Sequence, residues 1–127
     1  MTTTMEYIRR GRPDSDYSDY RGSTGQRFAK PIPRIECANG FSLSVQAGEF
    51  LYSDPREDAG PWRAVEVGFP SGTPEPWDEW QAYAENEADP TGTVYGYVPV
   101  VMVEALIALH GGEVDVPAKR ARKAATK

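Results

Sequence analysis

Apolar positions between residues 35 and 112 recur first at every second residue and later at every third or fourth. Phe41-Ser42-Leu43-Ser44-Val45-Gln46 alternates strictly. That pattern predicts a strand with Phe41, Leu43 and Val45 on its buried side and Ser42, Ser44 and Gln46 on the other. Ile35-Glu36-Cys37 precedes it, joined by Ala38-Asn39-Gly40; Asn-Gly is the favoured pair of a type I′ hairpin turn. Phe50-Leu51-Tyr52 reads as a further short strand, and the Ser, Asp, Pro and Gly of 53–61 as a loop. Trp62 to Phe69 alternates again, with Val65, Val67 and Phe69 on one side.

The period then lengthens. Trp77, Trp80, Tyr83 and Ala84 share one helical face, and Thr73 is placed to cap with Pro74 at the first helical position. Thr93 to Val98 is β-branched and aromatic, hence a strand. Pro99 to His110 reads as a second helix, with Met102 or Val103, Leu106, Ile107 and His110 along its apolar stripe and Gly111 as a left-handed cap. This order predicts an α+β fold: a small, mostly antiparallel sheet of about four to five strands with two helices packed on one face. Residues 1–34 are polar and show no period, so they read as a disordered basic arm; 35–112 form the acidic α+β domain, and 113–127 a disordered basic tail.

Charge sharpens that division. The net charge is −5, but 1–34 hold seven Arg and Lys against four acids, 35–115 hold only Arg56 and Arg63 against fifteen acids, and 116–127 hold five basic residues and no acid. The middle zone therefore carries −13 and repels nucleic acid, whose binding requires neutralised phosphates. The tails are left with weak contact to nucleic acid at most, or with attraction back to the acidic domain. No apolar run reaches the roughly 20 residues of a membrane span. The lone Cys37 makes no intramolecular disulfide and fits a reducing compartment, so no membrane association and a cytoplasmic setting are expected.

The residues that could carry chemistry are few. One His and one Cys lie far apart, without the spacing of a zinc site, and no Gly-x-Ser-x-Gly elbow or glycine-rich phosphate loop is present. No metal, no cofactor and no catalytic activity are expected. His110 suits a helix C-terminus as a cation. Cys37 reads as a small core residue.

Two features point to binding. Arg56 and Arg63 are the two cations of the acidic zone, and Arg63 adjoins Trp62. Arg grips phosphate or carboxylate and stacks on aromatic rings, although local pairing with Glu57, Asp58 or Glu66 accounts for the two more simply. The second is Trp77 and Trp80 beside Asp78 and Glu79, followed by Glu85 and Glu87. Trp77 reads as a surface anchor, Trp80 as core, and the acids as a solvated face or a docking surface.

Three segments carry a resemblance: Ile35-Glu36-Cys37-Ala38-Asn39-Gly40-Phe41-Ser42-Leu43-Ser44-Val45-Gln46-Ala47, Val65-Glu66-Val67-Gly68-Phe69-Pro70-Ser71, and Pro90 to Val100 running on to His110-Gly111-Gly112. Together they resemble a family of small accessory proteins of tailed actinobacterial phages. The resemblance covers the acidic domain and neither tail, and it transfers no functional residue. It implies only a phage setting in the host cytoplasm; with the −13 charge of the middle zone, that setting leads to the expectation of a non-enzymatic factor that binds and modulates a basic host protein, in host takeover or anti-defence, with DNA mimicry as its sharpest form. The alternatives are a nucleotide-sequestering protein, using Arg56 and Arg63 on phosphate with Trp62 or Tyr95 stacked on the base, and a minor virion or assembly component.

Overall fold

Four short antiparallel strands form the sheet. A computed structural model of the chain describes residues 3–12, 17–21, 27–29, 32–49, 51–57 and 59–114, with the backbone alone for 17–21 and 27–29. The elements run α1 (Thr4–Arg10), β1 (Tyr17–Arg21), β2 (Arg27–Ala29), β3 (Ile35–Glu36), β4 (Ser42–Gln46), β5 (Ala64–Gly68), α2 (Trp77–Trp80) with a 3₁₀ turn (Gln81–Tyr83), β6 (Val94–Pro99) and α3 (Val100–Leu109). The sheet has the order β3-β4-β5-β6, and β1 and β2 pair separately. The class is α+β, with three helices where the periodicity predicts two.

Alternation in β4 is reproduced residue by residue. Leu43 and Val45 are fully buried and Phe41 nearly so, while Ser42, Ser44 and Gln46 lie half-buried on the outer face. Val45 faces Val67 across the ladder, and Val65 faces Val98. The β3–β4 turn has a different form from the one expected. Gly40 alone takes a left-handed φ of 95°, and its amide donates to the Cys37 carbonyl. That is a three-residue loop ending in a glycine bulge. Asn39 uses its side chain instead, accepting from the Phe41 amide at 3.0 Å.

The arm expected to be disordered contains α1. Thr3 caps it by accepting from the Glu6 amide, Glu6 sits in the first turn and Arg9 and Arg10 in the last. Met5 and Ile8, three apart, are both buried in the main core. The chain then lies against the loop before β5: Arg12 N donates to Ala59 O at 2.5 Å and Trp62 N to Ile8 O at 3.1 Å. Gly11 permits this close approach, since a Cβ there would sit 2.8 Å from the Ala59 carbonyl oxygen. The expected boundary at 112 also moves. Val114 N donates to Glu36 O and Cys37 bridges Glu113, so the chain after α3 covers the β3 edge. The basic tail from 115 onward lies outside the described residues.

Other expectations are corrected. Leu51 and Tyr52 are not in a strand, and Phe50 lies outside the described residues. Phe69 leaves the core face: β5 ends at Gly68 and Phe69 turns outward with φ 48°. The Thr73-capped helix is reduced to the single turn of α2, led in by Pro76. Pro76 steers Glu75 away from helical geometry, so helix begins only after it. Trp80 is buried edge-on to Tyr95, with ring centroids 5.6 Å apart. In α3, Val103, Leu106 and Ile107 are buried and Gly111 and Gly112 both take φ near 92°, so the glycine C-terminus is as expected.

Candidate functional site

Along β6 the ladder slips. Val67 faces Tyr95 and Val65 faces Val98, so two residues of β6, Gly96 and Tyr97, stand where one is needed. This is a β-bulge, which bends a strand and re-aims its side chains. Tyr97 takes φ 56°, a left-handed conformation that costs a tyrosine about 1–3 kcal/mol. Tyr97 is nonetheless 44% exposed, so burial offsets that cost only in part. The only other non-glycine residue with positive φ among the described ones is Phe69, also an exposed aromatic.

The bulge places Tyr97 beside Tyr52, with ring centroids 5.9 Å apart and planes tilted by 44°. Tyr97 N donates to Tyr52 O at 2.9 Å. Gly96 lies under Tyr52, and a Cβ on it would come within 3.2 Å of the Tyr52 Cβ. The 3₁₀ turn after α2 supplies the opposite wall, because Ala84 bridges Tyr95 and Glu85 N donates to Val94 O. Between these walls runs an open groove of about 420 Å³, lined by Tyr52, Tyr83, Tyr97, Ala82, Val94, Gly96 and Glu85. Its chemistry is three phenol rings, a short apolar floor and one carboxylate.

The residues predicted from sequence sort in three ways. Asp78, Glu79, Glu85 and Glu87 are all exposed, and Glu85 alone of them lines the groove. Trp77 is half-buried against the core, edge-on to Tyr95 at 6.3 Å, and presents a partial face only. Trp62 is 2% exposed, and its indole N–H donates to the Glu57 carbonyl at 2.8 Å. Arg12 lies over it and over Tyr7, at 6.0 and 5.6 Å from the ring centres. Trp62 therefore presents almost no surface for a ligand to stack on.

Tyr95, the other ring considered for stacking, is wholly buried and its hydroxyl donates to the Pro90 carbonyl. Burial, with the Asp89 carboxylate adding to it, pushes that phenol up to about 12. Arg63 pairs with Asp54 at 2.7 Å, a partner different from the three expected, and Arg56 is exposed without an ion pair among the described residues. Arg63 does line a smaller cleft of about 200 Å³ with Trp62, Pro99, Val100, Val101 and Arg9. Arg56 is not part of that cleft. Arg9 is held by Glu104 through bonds of 2.7 and 2.5 Å. An anion there must displace two carboxylates already in place.

His110 and Cys37 have structural positions. The imidazole stacks on Phe41 at 3.9 Å and faces the Asn39 side-chain amide at 2.9 Å. Asn39 Oδ1 already accepts from Phe41, so its NH₂ faces His110 Nδ1, and in the neutral ring the proton sits on Nε2. Cys37 is buried and forms no disulfide. Among the described residues no group of three or more His, Cys, Asp or Glu is placed to hold a metal ion, and no helix is long and apolar enough to cross a membrane.

Sequence reasoning missed the tyrosine groove because Tyr52, Tyr83 and Tyr97 lie in three separate segments, and nothing in the local pattern marks a bulge. The one signal was Gly96 inside an otherwise β-branched and aromatic run, since glycine within a strand often marks a bulge. No family model matches the chain, and no curated protein or solved structure does either.

Proposed function

We propose that the chain is a non-enzymatic binding protein that docks a basic partner protein on the groove between Tyr52, Tyr83 and Tyr97 and the acidic segment 78–87 beside it. The observation that carries this reading is Tyr97 itself: a strained backbone holding an exposed aromatic ring beside Tyr52, in a groove that Tyr83 and Glu85 also line. Strain of that kind persists where the surrounding structure enforces it, and it gathers at ligand clamps. The exposed acids supply the field that steers a basic surface toward the groove. The phage resemblance supplies the setting, a host protein in the host cytoplasm as the target. Aromatic anchors favour docking over pure DNA mimicry, because a phosphate mimic needs carboxylates and not rings. The nucleotide alternative is weaker, since Trp62 and Tyr95 are buried and Arg63 is paired.

The test is a binding titration between the chain and the host protein it captures from infected cells. The variant is Asp78→Asn, Glu79→Gln, Glu85→Gln and Glu87→Gln combined. We expect wild-type binding to fall steeply with salt and the variant to lose binding while melting normally. Salt-insensitive binding that tolerates the four changes would sink the proposal.

A further inference from the structure

We infer that the group the groove takes is an arginine side chain of the partner. The inference rests on the reading above and narrows it. Recognition by strand addition is not available at this edge of the sheet. Val94 O already accepts from Glu85 N, Tyr97 N donates to Tyr52 O, and Ala84 bridges Tyr95. A partner must therefore be read here through its side chains.

The lining decides which side chain. Tyr52 and Tyr97 open at 44° to one another, so a flat group can lie on one ring with its edge toward the other. Ala82 and Val94 leave the floor unable to hydrogen-bond through side chains, which disfavours a strongly hydrated ammonium. Guanidinium is planar, weakly hydrated and stacks on aromatic faces, and its donor fork matches a carboxylate, here Glu85. The fold already contains the aromatic half of this arrangement once: the Arg12 guanidinium lies over Tyr7 and Trp62. In the groove the rings and carboxylate are present and the cation is not supplied by any lining residue.

The experiment uses the full chain and two probes of equal charge, N-acetylated hexa-arginine and hexa-lysine amides, titrated by calorimetry at physiological salt. We expect hexa-arginine to bind about fivefold tighter, the scale of an exposed cation–π contact. Tyr97→Asn should erase that preference. Asn tolerates the left-handed conformation and so keeps the bulge while removing the ring. Tyr52→Ala should weaken the preference as well.

Equal binding of the two peptides by wild type would overturn the arginine assignment, and so would a preference that survives Tyr97→Asn. The variant Asp78→Asn, Glu79→Gln, Glu87→Gln spares the groove and reads the charge field separately; it should weaken both peptides alike. If it leaves both unchanged, the docking reading itself fails. If Arg120→Lys with Arg122→Lys raises hexa-arginine affinity several-fold, the occupant is the chain's own tail, and the assignment to a partner falls.

Discussion

Tyr97 and Leu43 show how differently single residues of this sequence announce themselves. Leu43 sits in the middle of a strict alternation, and burial follows directly from it: the side chain is fully buried, facing Ile35 across the ladder. Leu43→Ala should cost about 2–5 kcal/mol, read as a shift in the denaturation midpoint, because the surrounding core cannot close over the lost volume. Tyr97 belongs to the same kind of run, yet an extra residue in β6 turns it out of the sheet face that alternation would give it. Alternation assumes a regular ladder, and one bulge reverses its prediction for everything nearby. Phe69 departs for the related reason that its strand stops one residue earlier than the pattern does. Gly96→Ala tests the local account of the bulge. The new Cβ would press on Tyr52, so arginine-peptide affinity should drop while the melting temperature stays close to wild type.

At the scale of elements, β3 to β6 and α3 were legible, α2 only in part, and α1, β1 and β2 were not. α3 has both of its signals, an apolar stripe and a glycine stop. α1 had a signal that was easy to pass over. Thr3 and Glu6 stand at the spacing of a capping box, and the Thr3 hydroxyl does accept from the Glu6 amide. With only Met5 and Ile8 to bury, its apolar period spans one repeat and is lost among polar neighbours. The helix is held from outside, by the core and by the Arg9–Glu104 pair. Hydrogen bonds from Arg9 hold the Glu104 carboxyl below the ordinary carboxylate range. A carboxyl depressed by folding stabilises above its unfolded value, and that contribution is lost as pH falls through the folded one. Amide protection at Tyr7 and Ile8 should therefore decline on acidification before that of β4 and β5. Glu104→Gln should lower it at neutral pH and weaken its acid dependence. α2 erred in the other direction, since an aromatic stripe at helical spacing was cut short by Pro76.

For the molecule as a whole, the charge zones read from sequence need one amendment. α1 brings Arg9 and Arg10 onto the acidic body and the segment after it buries Arg12 there, so the folded unit is less negative than residues 35–115 alone suggest. The acids of 78–87 stay exposed regardless. Association with a basic partner should accordingly slow with salt more than dissociation quickens, because long-range fields act on encounter. Deleting 116–127 should leave affinity unchanged or raise it, since a +5 segment competes for the same surface. Stopped-flow mixing across a salt series measures both. A requirement for the tail would make the tail the recognition element.

The return of the chain after α3 has a consequence for connectivity. Glu113 accepts from the Thr4 amide at 2.7 Å, and Val114 pairs with Glu36 on β3, the sheet edge opposite β6. The first described helix and the last described residues thus meet at one place, across the sheet from the tyrosine groove. A circular permutant that joins residue 114 to residue 3 through a few glycines, and is opened at the exposed turn 86–88, keeps every strand pairing of the sheet. It should melt as a single cooperative unit. The same adjacency means that a protein fused at either side of this junction hangs from the β3 edge, leaving the β6 edge clear for a partner to approach.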